Sequence, residues 1–306
     1  MAALSSFPPP RWRRPLLAGA AVVFLVGGVY FATRLDTEWS ALGWWWLFLA
    51  SVVGVPLTVL ANALEFQLSA RLLEGRVTFS ASIKVAVLST AANLLPIPGG
   101  ALVRVQALKR SGHGYGVATY ATGILAGSWV GVAALLTGVV LLAFGYLAAG
   151  AAWTVAGATI LGMVFALATR RIRSGRRLWF MFAVLGVELL SVGVSGLRLF
   201  LVLIALGEAA SLPGAALLAF ASVAAAAVGI FPGGLGLREV LAATLIPIAG
   251  IPAAAGFVAS AIDRVLGLLV HAPLAVYFSS RLAGEPKDVA PGARSGKEGD
   301  SVEREP

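Results

Sequence analysis

The stretch that decides the fold reads Leu94-Leu95-Pro96-Ile97-Pro98-Gly99-Gly100-Ala101-Leu102-Val103-Arg104, and a second copy reads Phe231-Pro232-Gly233-Gly234-Leu235-Gly236-Leu237-Arg238. In both, an Arg stands six residues after the proline of Pro-Gly-Gly, and a shift of 134 residues carries Pro98 onto Pro232 and Arg104 onto Arg238. Gly and Pro interrupt helices, so each copy predicts a helix break with a cation about one turn beyond it. Both breaks lie in apolar sequence. Paired breaks at matching positions of two halves are what a transporter binding site looks like in sequence.

Composition fixes the solvent. The chain is 59% hydrophobic and 12% charged, against roughly 25% charged for a soluble domain, and its mean hydropathy is +0.90. This predicts a polytopic, all-α integral membrane protein. With no Cys, disulfides, thiolate metal sites and Cys nucleophiles are excluded. His113 and His271 are the only two histidines and cannot build a His-rich metal cluster. The net charge of +9 is read here through the loops that carry it, not as a nucleic-acid signal.

Six apolar runs are long enough to cross a bilayer core: Pro15–Thr33, Trp44–Leu68, Gly116–Phe144, Leu147–Thr169, Leu178–Leu206 and Pro252–Ser279. The first follows Arg11, Arg13 and Arg14 without a small-residue cleavage site and reads as a retained signal anchor. Trp44-Trp45-Trp46 opens the second as an interfacial aromatic anchor. The Pro-Gly-Gly segments differ, because Ser80–Leu95, Leu102–Ser111, Leu212–Phe231 and Leu237–Ala249 are short. Each pair is predicted to form a re-entrant hairpin, which must be buried in protein or line a cavity. Residues 1–14 are expected to be a cytoplasmic basic tail, 15–281 the membrane domain, and 282–306 a disordered cytoplasmic tail.

Charge asymmetry gives the orientation. Six spans and two hairpins put Arg11–Arg14, Arg71, Arg76, Lys84, Lys109, Arg110, the arginines of 170–177 and Arg281 on one side. The other side keeps Arg34 with Asp36, Glu38 and Glu208. Both termini are therefore expected in the cytoplasm, with the first hairpin opening inward and the second outward. The 134-residue shift also maps the first span onto the fourth and the second onto the fifth. The halves, about 15–144 and 147–281, are thus expected to be an inverted repeat of span, span, hairpin, span.

Carried by NLLPIPGGALVRVQALKRSG and by FPGGLGLREVLAATL with the downstream AIDRVLGLL, the chain resembles the lysylphosphatidylglycerol synthase transmembrane domain, the flippase-like part of the multiple peptide resistance factor. The likeness covers roughly 16–281. It implies lipid translocation at the cell membrane by a stand-alone member, since the short tail leaves no room for the family's aminoacyltransferase domain. Two departures stand out: Ala101 replaces an acidic residue after the glycines, and Ser128-Trp129 stand where an Arg/Asp pair is common.

A charge at bilayer depth is costly, so each ionisable residue in an apolar run is a functional candidate. Arg104 and Arg238 suit phosphate or headgroup recognition, since guanidinium pairs bidentately with phosphate oxygens. Gly99, Gly100, Gly233 and Gly234 would expose helix-start N–H groups beside them. The alternative is that each Arg only ties its hairpin to a neighbour. Neighbouring helical residues do not face each other, so Glu239 and Asp263 are expected to pair across elements, for example Arg238 with Asp263. A structural ion cluster including Arg264 and a proton- or substrate-coupled carboxylate both remain open. Glu188 and Arg198 need not touch, though one could line the same cavity. Glu65 and Asn93 read as capping or hydrogen-bonding groups, and His271 as a packed, hydrogen-bonded histidine. Small-residue tracts such as Ala224–Ala227, Ala253–Ala255, Gly138 and Gly145 read as close helix packing.

Three functions compete: a flippase-like transporter of an anionic or phosphate-containing lipid, polyprenyl phosphates included; an integral membrane lipid-modifying enzyme; and a non-transporting assembly partner. The enzyme reading is disfavoured by the missing Cys, His motif and G-x-S-x-G elbow. The sequence assigns no catalytic residue, cofactor or metal. Its expected partners are membrane lipids and no nucleic acid, with a homo-oligomer left open.

Overall fold

The computed structural model describes residues 13–34, 41–93, 99–170, 172, 176–228 and 234–284. The expectations for the two tails, for Pro98, Pro232 and Gly233, and for Asp36 and Glu38 lie outside the described residues. Helices account for nearly all of the rest: α1 (Arg13–Ala32), α2 (Trp44–Leu49), α3 (Val55–Leu72), α4 (Phe79–Ala92), α5 (Gly99–Arg110), α6 (Tyr115–Ala143), α7 (Leu147–Thr169), α8 (Arg177–Ala205), α9 (Leu212–Val228), α10 (Leu237–Leu245) and α11 (Ala253–Gly284). Among the described residues there is no strand. This is a multi-pass helical membrane protein.

Among the described residues, five helices are long and apolar enough to cross a membrane: the continuous Trp44–Leu72 helix, α6, α7, α8 and α11 up to Ser280. α1, at 20 residues, has the length of a bilayer core as well. α2 and α3 join without a break through one π-helical turn, Ala50–Gly54. α4 and α9 are the shorter apolar helices, and each folds back onto its successor, α5 and α10. Large apolar side chains such as Leu25, Val29, Leu147 and Phe182 face outward, as lipid-facing positions should. Trp44 and Trp45 are exposed at the start of their helix.

Between helices in lipid there is little hydrophobic driving force, so close packing of small residues carries association. The α6–α7 contact shows this. A Cβ on Gly138 would fall 2.3 Å from Thr154 Oγ1, and one on Gly157 would fall 2.5 Å from the Leu135 nitrogen. Gly145 does not belong to this set: it sits in the α6–α7 turn at φ +82°, with open space around its Cβ position. Its smallness serves the turn, since positive φ penalises any residue with a Cβ.

The packing partners come in matched sets. α3 packs on α8. α4 packs on α3, α5 and α11, whereas α9 packs on α8, α10 and α6. α5 rests on α6 as α10 rests on α11, and α1 lies against α11 as α7 lies against α6.

The two Pro-Gly-Gly copies take different conformations. In the first, Gly99 and Gly100 are already the opening turn of α5, so these two glycines are not themselves the expected break. They are small because α4 presses on them: added Cβ atoms would lie 2.1 Å from the Ala92 oxygen and 2.4 Å from Asn93 Oδ1. In the second copy Gly234 lies outside the helix. Gly234 and Gly236 have φ of +70° and +77°, and α10 starts only at Leu237.

Candidate functional site

A cavity of about 420 Å³ opens where the two helical hairpins meet the long helices. α3 contributes Thr58, Asn62 and Glu65, and α8 contributes Ser191, Ser195 and Arg198. From the hairpins come Gly100 and Arg104 on one side, Gly234 and Arg238 on the other, and from α11 Asp263, Arg264 and His271. The cavity wall thus carries Arg104, Arg198, Arg238 and Arg264 against the two acids Glu65 and Asp263.

Three ionic clusters arrange these charges. Arg104 is bidentate on Glu65: Nη1 donates to Oε1 at 2.6 Å and Nη2 to Oε2 at 3.0 Å. This joins α5 to α3. Asp263 takes two guanidiniums. Arg238 Nη2 donates to its Oδ2 at 2.5 Å, and Arg198 Nη2 lies 2.7 Å from Oδ1 while donating to its backbone oxygen at 3.1 Å. Arg198 Nη1 also donates to Thr58 Oγ1 at 3.2 Å, which carries the cluster across to α3. Arg264 Nε donates to Glu239 Oε1 at 2.8 Å.

Local structure explains how these side chains are placed. Arg198 crosses the π-helical turn at Gly54, where a Cβ would fall 2.3 Å from its Cγ. That turn widens the helix and leaves the notch in which the long side chain lies. Glu239 is fully buried and caps its own helix: Gly236 N donates to its Oε2 at 2.8 Å. Asn93 at the end of α4 does the same for α5, accepting from Gly100 N at 2.9 Å. These two N–H groups are therefore satisfied within the protein. The expectation of N–H groups free to hold an anion is corrected for Gly100.

Of the residues singled out in the sequence, Gly100, Arg104, Gly234, Arg238, Asp263 and Arg264 meet at the cavity. Gly99 is buried against α4 behind it. Glu239 also stands behind the wall, holding Arg264 and the start of α10. Gly233 lies outside the described residues. The cross-helix pairing of Arg238 with Asp263 is present. His271 is buried, with Nδ1 2.7 Å from the Gly267 oxygen. At Ser128-Trp129 the pair splits: Ser128 is buried and donates to the Ile124 oxygen at 2.9 Å, while Trp129 lines the cavity. The acid that α11 supplies to Arg238 is supplied to Arg104 by α3.

Arg198 and Glu65 were underread in the sequence, and a signal for them exists. Thr58, Asn62 and Glu65 follow one another at i, i+4 and i+7, and so do Ser191, Ser195 and Arg198. Polar residues at this spacing form one stripe on an otherwise apolar helix. A shift of 133 residues superimposes the two stripes and sets Glu65 against Arg198.

Two guanidinium donors are left over: Arg198 Nε and Arg238 Nε are buried without a hydrogen-bond partner. Buried donors on charged groups are costly to leave unpaired, and here they flank one carboxylate beside an open cavity. The sequence profile described as the Lysylphosphatidylglycerol synthase TM region matches residues 16–275. No curated protein matches the chain.

Proposed function

The chain belongs to the lysylphosphatidylglycerol synthase transmembrane family, which ties it to membrane lipids, and on that premise we propose that it is a flippase-like transporter of an anionic, phosphate-bearing lipid. The observation that carries this reading is the charge of the cavity wall. Four arginines face two acids there, which leaves the cavity wall with a surplus of guanidinium groups. A phosphate oxygen is the complement of such donors, because charge-assisted hydrogen bonds to guanidinium are strong and directional. The small hydroxyls of Ser191 and Ser195 add neutral polar groups for the rest of a headgroup.

The matched packing supports an inverted repeat. Exchanging α1 with α7, α3 with α8, α4 with α9, α5 with α10 and α6 with α11 turns the contacts of one half into those of the other. One cation from each repeat, Arg104 and Arg238, then stands on either side of the cavity. Rocking of the two hairpins about this site is the alternating-access motion that such repeats allow. In this reading the hairpins are re-entrant, the basic loops and both termini face the cytoplasm, and the protein resides in the cytoplasmic membrane. It needs no catalytic residue and no cofactor. Its partners are membrane lipids rather than nucleic acid.

A ligand that binds only the folded state stabilises it, and more so the tighter it binds. Added phosphatidylglycerol is therefore expected to raise the unfolding temperature of the detergent-solubilised protein more than equal phosphatidylcholine does. Equal shifts for the two lipids would remove the anionic-headgroup reading.

A further inference from the structure

Glu188 lies midway along α8 with no exposed surface, and neither of its carboxylate oxygens has a hydrogen-bond partner. It sits one turn before Ser191, on the helix whose Ser191, Ser195 and Arg198 line the cavity. Its electrostatic neighbours are Glu65 of α3 and Arg104 of α5. Arg104 is already committed, with both terminal nitrogens on Glu65.

Among the described side chains, the remaining ionisable groups on helices packed against α8 are engaged elsewhere or exposed. Arg71 of α3 covers the Trp179 ring, and Tyr120 of α6 donates to the Leu167 oxygen. Tyr115 of α6 and Tyr277 of α11 are exposed. Asp263 and Arg264 of α11 are in ion pairs with Arg198 and Glu239, His271 Nδ1 lies 2.7 Å from the Gly267 oxygen, and α9 carries no ionisable side chain. Two buried carboxylates are therefore within electrostatic reach of one guanidinium. An unpaired ionised acid there is strongly disfavoured, and taking up a proton relieves it.

The charge sum makes this proton consequential. Arg104, Arg198, Arg238 and Arg264 are opposed by Glu65, Asp263 and Glu239. With Glu188 neutral, one positive charge is left over; with Glu188 ionised, none is.

We propose that Glu188 carries a proton that enters and leaves together with the anionic headgroup, so that transport is coupled to a pH difference across the membrane; this rests on the headgroup-site reading above. Protonated Glu188 leaves the cavity with the charge that a monoanionic phosphodiester neutralises. Loss of the proton cancels that charge and releases the anion. The chemical step is one proton passed between water and a carboxylate oxygen, with no other bond made or broken. Binding linkage is reciprocal: the lipid raises the proton affinity of Glu188 by the factor by which the proton raises lipid affinity.

Calorimetric titration of the purified full chain with dioctanoyl phosphatidylglycerol, in two buffers of different ionisation enthalpy, counts the protons taken up per lipid bound. The expected result is uptake approaching one proton, and an affinity that rises up to about tenfold per unit fall in pH. Glu188→Gln should bind at every pH with the affinity the wild type reaches in acid, and take up none. Lipid binding by the wild type without proton uptake, or an unchanged pH dependence in Glu188→Gln, overturns the proposal and leaves the headgroup site standing. No binding at any pH overturns both. Should Glu188→Gln fail to fold, the wild-type proton count decides alone.

Discussion

Arg198 of α8 and Arg238 of α10 share one carboxylate: Asp263 receives the first at 2.7 Å on Oδ1 and the second at 2.5 Å on Oδ2. One acid thus holds a long helix and a hairpin helix to α11. The acid, not either arginine, is the keystone of the cluster. Removing it strands two cations with side chains only 9% and 16% exposed.

The first prediction follows from that inequality. Asp263→Ala should cost about 3–5 kcal/mol, the cost of leaving buried charge unpaired. Arg238→Ala should cost only about 1–2 kcal/mol, because Arg198 still compensates Asp263. Chemical or thermal unfolding in detergent would rank the two. An Arg238→Ala protein less stable than Asp263→Ala would mean that Arg198 does not share the carboxylate.

The π-helical notch gives the second. Gly54→Ala places a methyl group 2.3 Å from Arg198 Cγ, so the side chain must leave its bonds to Thr58 and Asp263. A loss of about 1–3 kcal/mol, typical of overpacking, is expected. Gly186→Ala on α8 meets no atom within 4 Å and should be neutral or slightly stabilising, since Ala is the better helix former. Equal stability of both variants would contradict the notch.

Glu65 and Glu188 should prove coupled through Arg104. When Glu65→Gln removes the bidentate partner, Glu188 becomes the available acid for the guanidinium. The double variant Glu65→Gln with Glu188→Gln should therefore be less stable than the sum of the single changes by about 1 kcal/mol. Strict additivity in this cycle would place Glu188 out of reach of Arg104.

Orientation is testable in a chain that contains no Cys. A cysteine at Ser111, after the basic end of α5, should react with an impermeant maleimide only from the cytoplasmic side. One at Gly145, in the α6–α7 turn, should react only from outside. Labelling of both from the same side would break the proposed topology.

The membrane class and the helix list were legible because apolar runs and basic loops are set by the bilayer itself. Arg238 with Asp263 was legible from helix geometry, as adjacent Arg238 and Glu239 cannot face each other. Gly99 and Gly100 read in sequence as the break itself, yet they belong to α5. Glycine marks both chain reversal and close packing, and composition does not separate a helical glycine whose added Cβ would fall 2.1 Å from the Ala92 oxygen from a turn glycine. No residue in Ala50–Gly54 announces a π-helical turn, which exists to seat a side chain 144 positions away from Gly54, Arg198. The polar stripes on α3 and α8 were present in the sequence, but their meaning depended on knowing that those two helices face each other.

The central claim is that Arg238 recognises a phosphate headgroup, and translocation by reconstituted protein tests it most directly. Proteoliposomes carrying fluorescent phosphatidylglycerol or phosphatidylcholine would be compared for wild type and Arg238→Lys. Lysine keeps the charge and loses the planar fork. The account predicts that the wild type moves phosphatidylglycerol faster than phosphatidylcholine. In Arg238→Lys the phosphatidylglycerol rate should fall about tenfold, the equivalent of one charge-assisted hydrogen bond, with insertion intact. Wild-type rates and headgroup preference in Arg238→Lys would contradict it.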